Sequence, residues 1–80
     1  MIYLDVRTKE EFDEIHMPGS VNIPLNMLET HAHVLSTDDE ITVFCASGAR
    51  ALMAKKILEN MGFTHVIYGG GLGNVYRVSL

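Results

Sequence analysis

The stretch ITVFCASGAR, residues 41–50, consists of a short apolar run, a loop of small residues and an arginine. The run ITVF is typical of a buried strand. The segment after the loop has apolar residues at helical spacing, which predicts a helix from Arg50 to Met61. The stretch therefore predicts a strand, a tight loop and a helix, with Cys45 at the end of the strand.

Three further short strands are predicted, at residues 2–6, 21–23 and 65–68. Each is apolar and bounded by turn residues, and we expect the three glycines Gly69–Gly71 to form a loop after the last strand. Strands that alternate with helices predict an α/β fold, in which helices flank a parallel sheet of about four to five strands.

Two helices are predicted before residue 41. Thr8 and Glu11 fit a capping box, so a short helix is expected after Thr8, with Phe12 and Ile15 facing inward. A weaker helical pattern covers residues 25–35. Gly62 directly follows the predicted helix 50–61, at the position where a glycine is expected to end the helix.

Three polar or reactive residues lie near the predicted carboxyl ends of strands. Asp5 and Arg7 are at the end of the first strand, and Cys45 is at the end of the strand 41–44. Ligands of parallel sheets bind beyond the carboxyl ends of the strands, so these residues predict a functional site. We expect Asp5 and Arg7 to brace the cysteine loop rather than to react.

Cys45 is a candidate nucleophile because of what surrounds it in the sequence. The thiolate is the reactive form of cysteine, and a helix N-terminus or a nearby cation favours it. Backbone amides from Ala46 to Arg50 can point toward the sulfur, and Arg50 adds a positive charge. Gly48 permits a tight turn, while Ala46, Ser47 and Ala49 are expected to leave the sulfur uncrowded. The alternative is that Cys45 is a small buried hydrophobic residue.

The composition limits the remaining possibilities. Eighty residues predict one domain, residues 1–80, and a single cysteine excludes an internal disulfide. The net charge of −4 argues against nucleic acid or an anionic membrane as the main partner. No apolar run approaches the ~18 residues that span a bilayer. We expect a cytoplasmic monomer, or a periplasmic protein if a leader has been removed before residue 1. His31 and His33 alone make a weak metal site, so no metal is expected.

The motifs together resemble those of the single-domain rhodanese family, and most closely its minimal phage-shock-protein-E type. YLDVRTKEEF resembles the strand-plus-helix signature of the family, and HMPGSVNIP resembles its H-x-P-G-A-x-N-I-P turn. CASGAR matches the active loop C-x-x-G-x-R, and MGFTHVIYGGGL resembles the segment that leads to the final Gly-Gly turn. The resemblance covers nearly the whole chain and implies a small three-layer α/β domain.

The resemblance implies a thiosulfate sulfurtransferase without a cofactor. Cys45 would accept a sulfane sulfur from thiosulfate or a similar donor and pass the sulfur to cyanide or a thiol. The loop Ala46–Ala49 and Arg50 would bind the donor. Two departures concern substrate affinity: the first loop position, often basic in the family, is Ala46, and the tryptophan that commonly follows the last Gly-Gly turn is absent.

Two alternative functions remain. One is a non-catalytic persulfide carrier or a regulatory rhodanese-like binding module, which Ala46 makes conceivable. The other is a phosphatase or arsenate reductase. Related cysteine phosphatases place five residues between nucleophile and arginine, whereas residues 46–49 leave four between Cys45 and Arg50, which favours sulfur chemistry.

Overall fold

The chain forms four parallel strands in one sheet with helices on both faces. The computed structural model describes the backbone of residues 1–79 and the side chains of residues 1–76. The strands are β1 (Ile2–Asp5), β2 (Val21–Asn22), β3 (Ile41–Cys45) and β4 (Val66–Gly71). The helices are α1 (Lys9–Glu14), α2 (Leu28–His31), α3 (Ala49–Asn60) and α4 (Leu72–Ser79). The predicted α/β fold with a parallel sheet is confirmed.

Strand β3 is an inner strand of the sheet, and its sequence is apolar except for Thr42. The strand order is β2-β1-β3-β4, and all five residues of β3 are buried. Alternate residues of a strand point to opposite faces, so Val43 and Cys45 pack in the core cluster that includes Ala51 and Leu58 of α3. Phe44 packs on the other face, in the cluster that includes Val75 of α4.

Strand β4 extends through the glycines that were predicted to form a loop. Tyr68 pairs with Val43 and Gly70 pairs with Phe44, so Gly69 is the extra residue of a β-bulge. A Cβ at Gly69 would lie 2.8 Å from Cγ2 of Thr42, which explains why this position takes no side chain. The loop prediction for Gly69–Gly71 is therefore wrong, and a helix that was not predicted, α4, follows directly.

The observed helices before β3 agree only in part with the sequence prediction. The capping box of α1 is confirmed: the Glu11 N–H donates to Oγ1 of Thr8, and the Thr8 N–H donates to Oε1 of Glu11. Ile15 is 62% exposed, so its predicted inward direction is wrong; α1 ends at Glu14 and Ile15 is already extended. The predicted helix over residues 25–35 is divided into a 3₁₀ turn, the short α2 and a second 3₁₀ turn.

Helix α3 agrees closely with its prediction. It begins one residue before Arg50 and ends one residue before Met61, and its buried residues include Ala54 and Leu58. Gly62 has a φ of 97° and follows the C-cap, as expected of the glycine that ends a helix. None of the helices in the described part of the chain has the length and apolar character that crossing a membrane requires.

Candidate active site

The sulfur of Cys45 lies beneath the loop that joins β3 to α3. Cys45 is the last residue of β3, and α3 begins four residues later at Ala49. The Gly48 N–H donates a hydrogen bond of 2.9 Å to the sulfur, and the Ala51 N–H donates one of 3.4 Å. Hydrogen bonds donated to a titratable atom favour its anionic form. The loop is therefore built to stabilise negative charge on this sulfur.

The burial of Cys45 differs from the sequence prediction. The side chains of Ala46, Ser47 and Ala49 are exposed as expected, but Cys45 itself is only 1% exposed. The prediction of an uncrowded sulfur is wrong because the bonds from Gly48 and Ala51 hold the sulfur under the loop. Consequently, the thiol has almost no contact with solvent.

Gly48 gives the loop its shape. Its φ is 111°, a left-handed conformation that is unfavourable for residues with a Cβ. Its carbonyl accepts the Leu52 N–H at 3.1 Å and so begins the hydrogen-bond ladder of α3. The same carbonyl accepts the hydroxyl of Tyr68 in β4, also at 3.1 Å. This glycine therefore contacts the sulfur, the helix and the neighbouring strand.

A second contact joins the loop to β4. Ser47 and Gly71 form an isolated antiparallel bridge, and a Cβ at Gly71 would lie 2.6 Å from the carbonyl oxygen of Ala46. The loop and the strand can approach this closely only because residue 71 is glycine. The sequence does not predict that Gly69–Gly71 belong to the site, since nothing local in that stretch indicates how close it lies to residues 46 and 47.

Arg50 is paired with a carboxylate of α1. Its two terminal nitrogens donate to Oε1 and Oε2 of Glu11 at 2.7 and 3.1 Å. The bond to Glu11 is the main cause that raises the pKa of Arg50, and attraction to Cys45 contributes. The same bond, followed by the one from the Thr8 backbone, lowers the pKa of Glu11 to about 2. Glu11 was predicted only as a capping residue, and its pairing with Arg50 was missed.

Asp5 and Arg7 form a buried ion pair next to the site. Nε and Nη2 of Arg7 bind both carboxylate oxygens of Asp5, at distances from 2.8 to 3.1 Å. Nη2 also donates to the Ile15 carbonyl at 2.7 Å, which ties β1 to the end of α1. The hydrogen bonding of Arg7 to the Asp5 carboxylate is the main cause that raises the pKa of Arg7. These side-chain bonds brace β1 and α1, and the pair acts on Arg50 through its charges.

A surface pocket of about 290 Å³ lies beside Arg50. It is formed where the end of β1 meets the first 3₁₀ turn, and its lining residues are Val6, Thr8, Pro24, Leu25, Asn26 and Arg50. Cys45 is not among them. The guanidinium of Arg50 is therefore accessible from this pocket, whereas the sulfur is not part of its wall.

His16, His31 and His33 form hydrogen bonds within their own segments of the chain. His16 stacks on Phe12 with ring centroids 3.8 Å apart, and its Nδ1 forms a 2.8 Å hydrogen bond with the Phe12 carbonyl. His31 and His33 are exposed and hydrogen-bonded to carbonyls within their own turn. Residues 1–79, as far as they are described, contain no group of three or more side chains that could hold a metal ion.

Comparison with known proteins agrees with this geometry. The family profile described as "Rhodanese-like domain" matches residues 1–76. Thiosulfate sulfurtransferase PspE of Escherichia coli (strain K12) is 36% identical over 75 residues, which cover 91% of this chain and 72% of PspE. A solved structure titled "rhodanese with anions from E. coli" superposes with a TM-score of 0.81 at 36% identity, and covers 91% of this chain and 88% of that one.

A second relative is a longer protein. YrkF of Bacillus subtilis (strain 168), by its name a candidate sulfur carrier, is 45% identical over 64 residues. The match covers 80% of this chain but only 35% of YrkF, so the chain spans about a third of that relative's length. The profile match, the relatives and the fold lead to one conclusion: this chain belongs to the rhodanese-like domain family.

Proposed function

We propose that this chain is a sulfurtransferase that holds sulfane sulfur as a persulfide on Cys45. The observation that carries the proposal is the pair of backbone N–H groups, from Gly48 and Ala51, that bind the Cys45 sulfur. A nucleophilic cysteine reacts as the thiolate, and preorganised N–H donors stabilise an anion without reorganisation. The name of PspE indicates thiosulfate as the donor to test first.

The proposed reaction has two steps. The Cys45 thiolate attacks the outer sulfur of thiosulfate, so that a new S–S bond forms at Sγ. The S–S bond of thiosulfate breaks, and sulfite leaves with the electron pair. In the second step, the carbon of cyanide or the sulfur of a thiolate attacks the outer sulfur of the persulfide. Thiocyanate or a new persulfide leaves, and the Cys45 thiolate is regenerated without a net redox change.

Arg50 is the proposed contact for the donor. Its guanidinium lines the pocket beside the loop, and it is close enough to Cys45 for the two charges to interact. A planar guanidinium binds the oxygens of an oxyanion well. The exposed Ala46, Ser47 and Ala49 would form the rim across which the donor approaches. Asp5 and Arg7 would support this site without touching the donor.

A persulfide carrier with slow turnover is the second candidate. The observation that favours it is the burial of Cys45, which is 1% exposed and would protect a bound persulfide from water and from small acceptors. The pairing of Arg50 with Glu11 favours it too, because the pair leaves little net charge to attract a dianion. The name of YrkF indicates the same class of function.

One experiment tests the proposal and separates the two candidates. The protein is incubated with thiosulfate, freed of excess donor and weighed by intact-mass spectrometry, and thiocyanate release is then measured after addition of cyanide. We expect a gain of one sulfur atom and repeated turnover. A gain of sulfur without turnover identifies a carrier. The Cys45→Ser variant must show neither signal, and full activity in that variant would refute the assignment of the nucleophile.

A further inference from the structure

Tyr68 makes a contact that its position in the strand does not require. It lies in β4 and is 45% exposed, so water could satisfy its hydroxyl group. Instead, the hydroxyl donates to the Gly48 carbonyl, 20 residues away, at 3.1 Å. Tyr68 pairs with Val43, and side chains of directly paired residues point to the same face of a sheet. Val43 shares its face with Cys45, so the tyrosine is on the side of the sheet where the sulfur lies.

The contact is made to the residue that controls the N–H group on the sulfur. Gly48 donates its N–H to Cys45 at 2.9 Å and offers its carbonyl to Tyr68. Only the φ and ψ rotations of Gly48 relate these two groups, and glycine restricts both rotations less than any other residue. The Leu52 N–H of α3 already binds this carbonyl, and the Tyr68 hydroxyl is a second partner that further limits the directions that the N–H can take.

The hydroxyl also fills the space beside Gly48. A Cβ at Gly48 would lie 2.3 Å from Oη of Tyr68, so the tyrosine occupies the position where another residue would carry its side chain. The β-bulge at Gly69 follows Tyr68 directly, and bulges change the direction of neighbouring side chains. Tyr68 of β4 thus restricts the backbone conformation of Gly48 from outside the loop, because Gly48 has no side chain of its own to do so.

We propose that Tyr68 is a positioning residue, whose hydroxyl holds Gly48 so that the backbone N–H of Gly48 stays on the Cys45 sulfur. This role rests on the proposed function, because a stabilised sulfur anion is what persulfide chemistry on Cys45 requires. Tyr68 acts through Gly48 and does not itself touch the sulfur or the donor. Nothing in the sequence motif CASGAR indicates it.

The test is the Tyr68→Phe variant, which keeps the ring and removes only the hydroxyl. In each protein, the exchange of the Gly48 backbone N–H with deuterated solvent is followed by NMR. A loosened N–H leaves the sulfur more often, so the N–H of the variant should exchange about fivefold faster than that of the wild type. The measurement uses no sulfur donor, so its result is independent of whether the chain transfers sulfur.

Tyr76→Phe is the matched control. The Tyr76 hydroxyl donates to the His16 carbonyl at 2.9 Å, which is the same kind of bond at a distance from the loop. We expect the Gly48 N–H of this variant to exchange at the wild-type rate. If the Gly48 N–H also exchanges at the wild-type rate in Tyr68→Phe, or if that variant speeds the exchange of all amides of α3 equally, the positioning role is refuted. An equal acceleration in both variants would refute it as well.

Discussion

Arg50 and Glu11 face each other as a bidentate ion pair that joins α3 to α1 across 39 residues of sequence. The side chains of both are 35% exposed, so the pair lies at the surface beside the pocket that Arg50 lines. The carboxylate of Glu11 thus compensates the positive charge of Arg50. Glu11 is therefore expected to weaken the attraction of the site for thiosulfate.

Glu11→Gln should lower the KM for thiosulfate. The amide keeps an acceptor for the Thr8 N–H and for Arg50, but it removes the negative charge that offsets the guanidinium. We expect KM to fall by about twofold to fivefold at low salt, and we expect the difference to vanish at high salt, because exposed charges are screened. Asp13→Asn, which removes a carboxylate from the same helix where it pairs with Lys9, is the control. A higher KM in Glu11→Gln would show instead that the carboxylate holds Arg50 in place.

Arg50→Ala should raise the KM for thiosulfate by about tenfold and change kcat less, since the guanidinium is assigned to donor binding. The measurement is steady-state transfer of sulfur from thiosulfate to cyanide. Lys55→Ala removes a different cation of α3, one that pairs with Glu59, and it should leave KM unchanged. An unchanged KM in Arg50→Ala would end the donor-binding assignment.

The ion pair also predicts how stability depends on pH. The bond from Arg50 lowers the pKa of Glu11 from 4.5 to about 2 in the folded protein. A lowered pKa stabilises the folded state above pH 4.5, and this stabilisation is lost as the pH falls toward 2. Urea unfolding of the wild type and of Glu11→Gln should therefore differ most near neutral pH, and the difference should shrink in that interval. A difference that is constant with pH would contradict the assignment.

The part of the fold that the sequence predicts well is local in origin. The strand Ile41–Cys45 and the helix Ala49–Asn60 follow from an apolar run and a helical spacing that neighbouring residues create by themselves. The capping box of Thr8 and Glu11 is also local, since both partners lie within one turn. These features need no knowledge of the rest of the chain.

What the sequence does not predict depends on distant residues. Gly70 and Gly71 carry no side chain that could produce an alternating pattern, and they belong to β4 because β3 pairs with them. The burial of Cys45 depends on how the loop folds over the sulfur. The pairing of Arg50 with Glu11 and the contact of Tyr68 with Gly48 each join separate elements. The motif therefore singled out Cys45 as the candidate nucleophile, and the structure was needed to find the residues around it.

Gly71→Ala tests whether β4 holds the cysteine loop in place. The added methyl group would lie 2.6 Å from the Ala46 carbonyl oxygen, so the loop or the strand must shift. We expect a loss of roughly 1–3 kcal/mol in the free energy of unfolding and a fall in the rate of sulfur transfer.

Gly73→Ala is the control for that variant, since a Cβ there would meet no atom within 4 Å and residue 73 lies in α4. Alanine stabilises a helix by up to about 1 kcal/mol relative to glycine. This variant should therefore be at least as stable as the wild type, and its rate of sulfur transfer should be unchanged. The measurements are thermal unfolding and the rate of thiocyanate release, made on Gly71→Ala and Gly73→Ala. If Gly71→Ala retained wild-type stability and turnover, the loop would have to be free to move away from β4, because the methyl group has no other space to occupy.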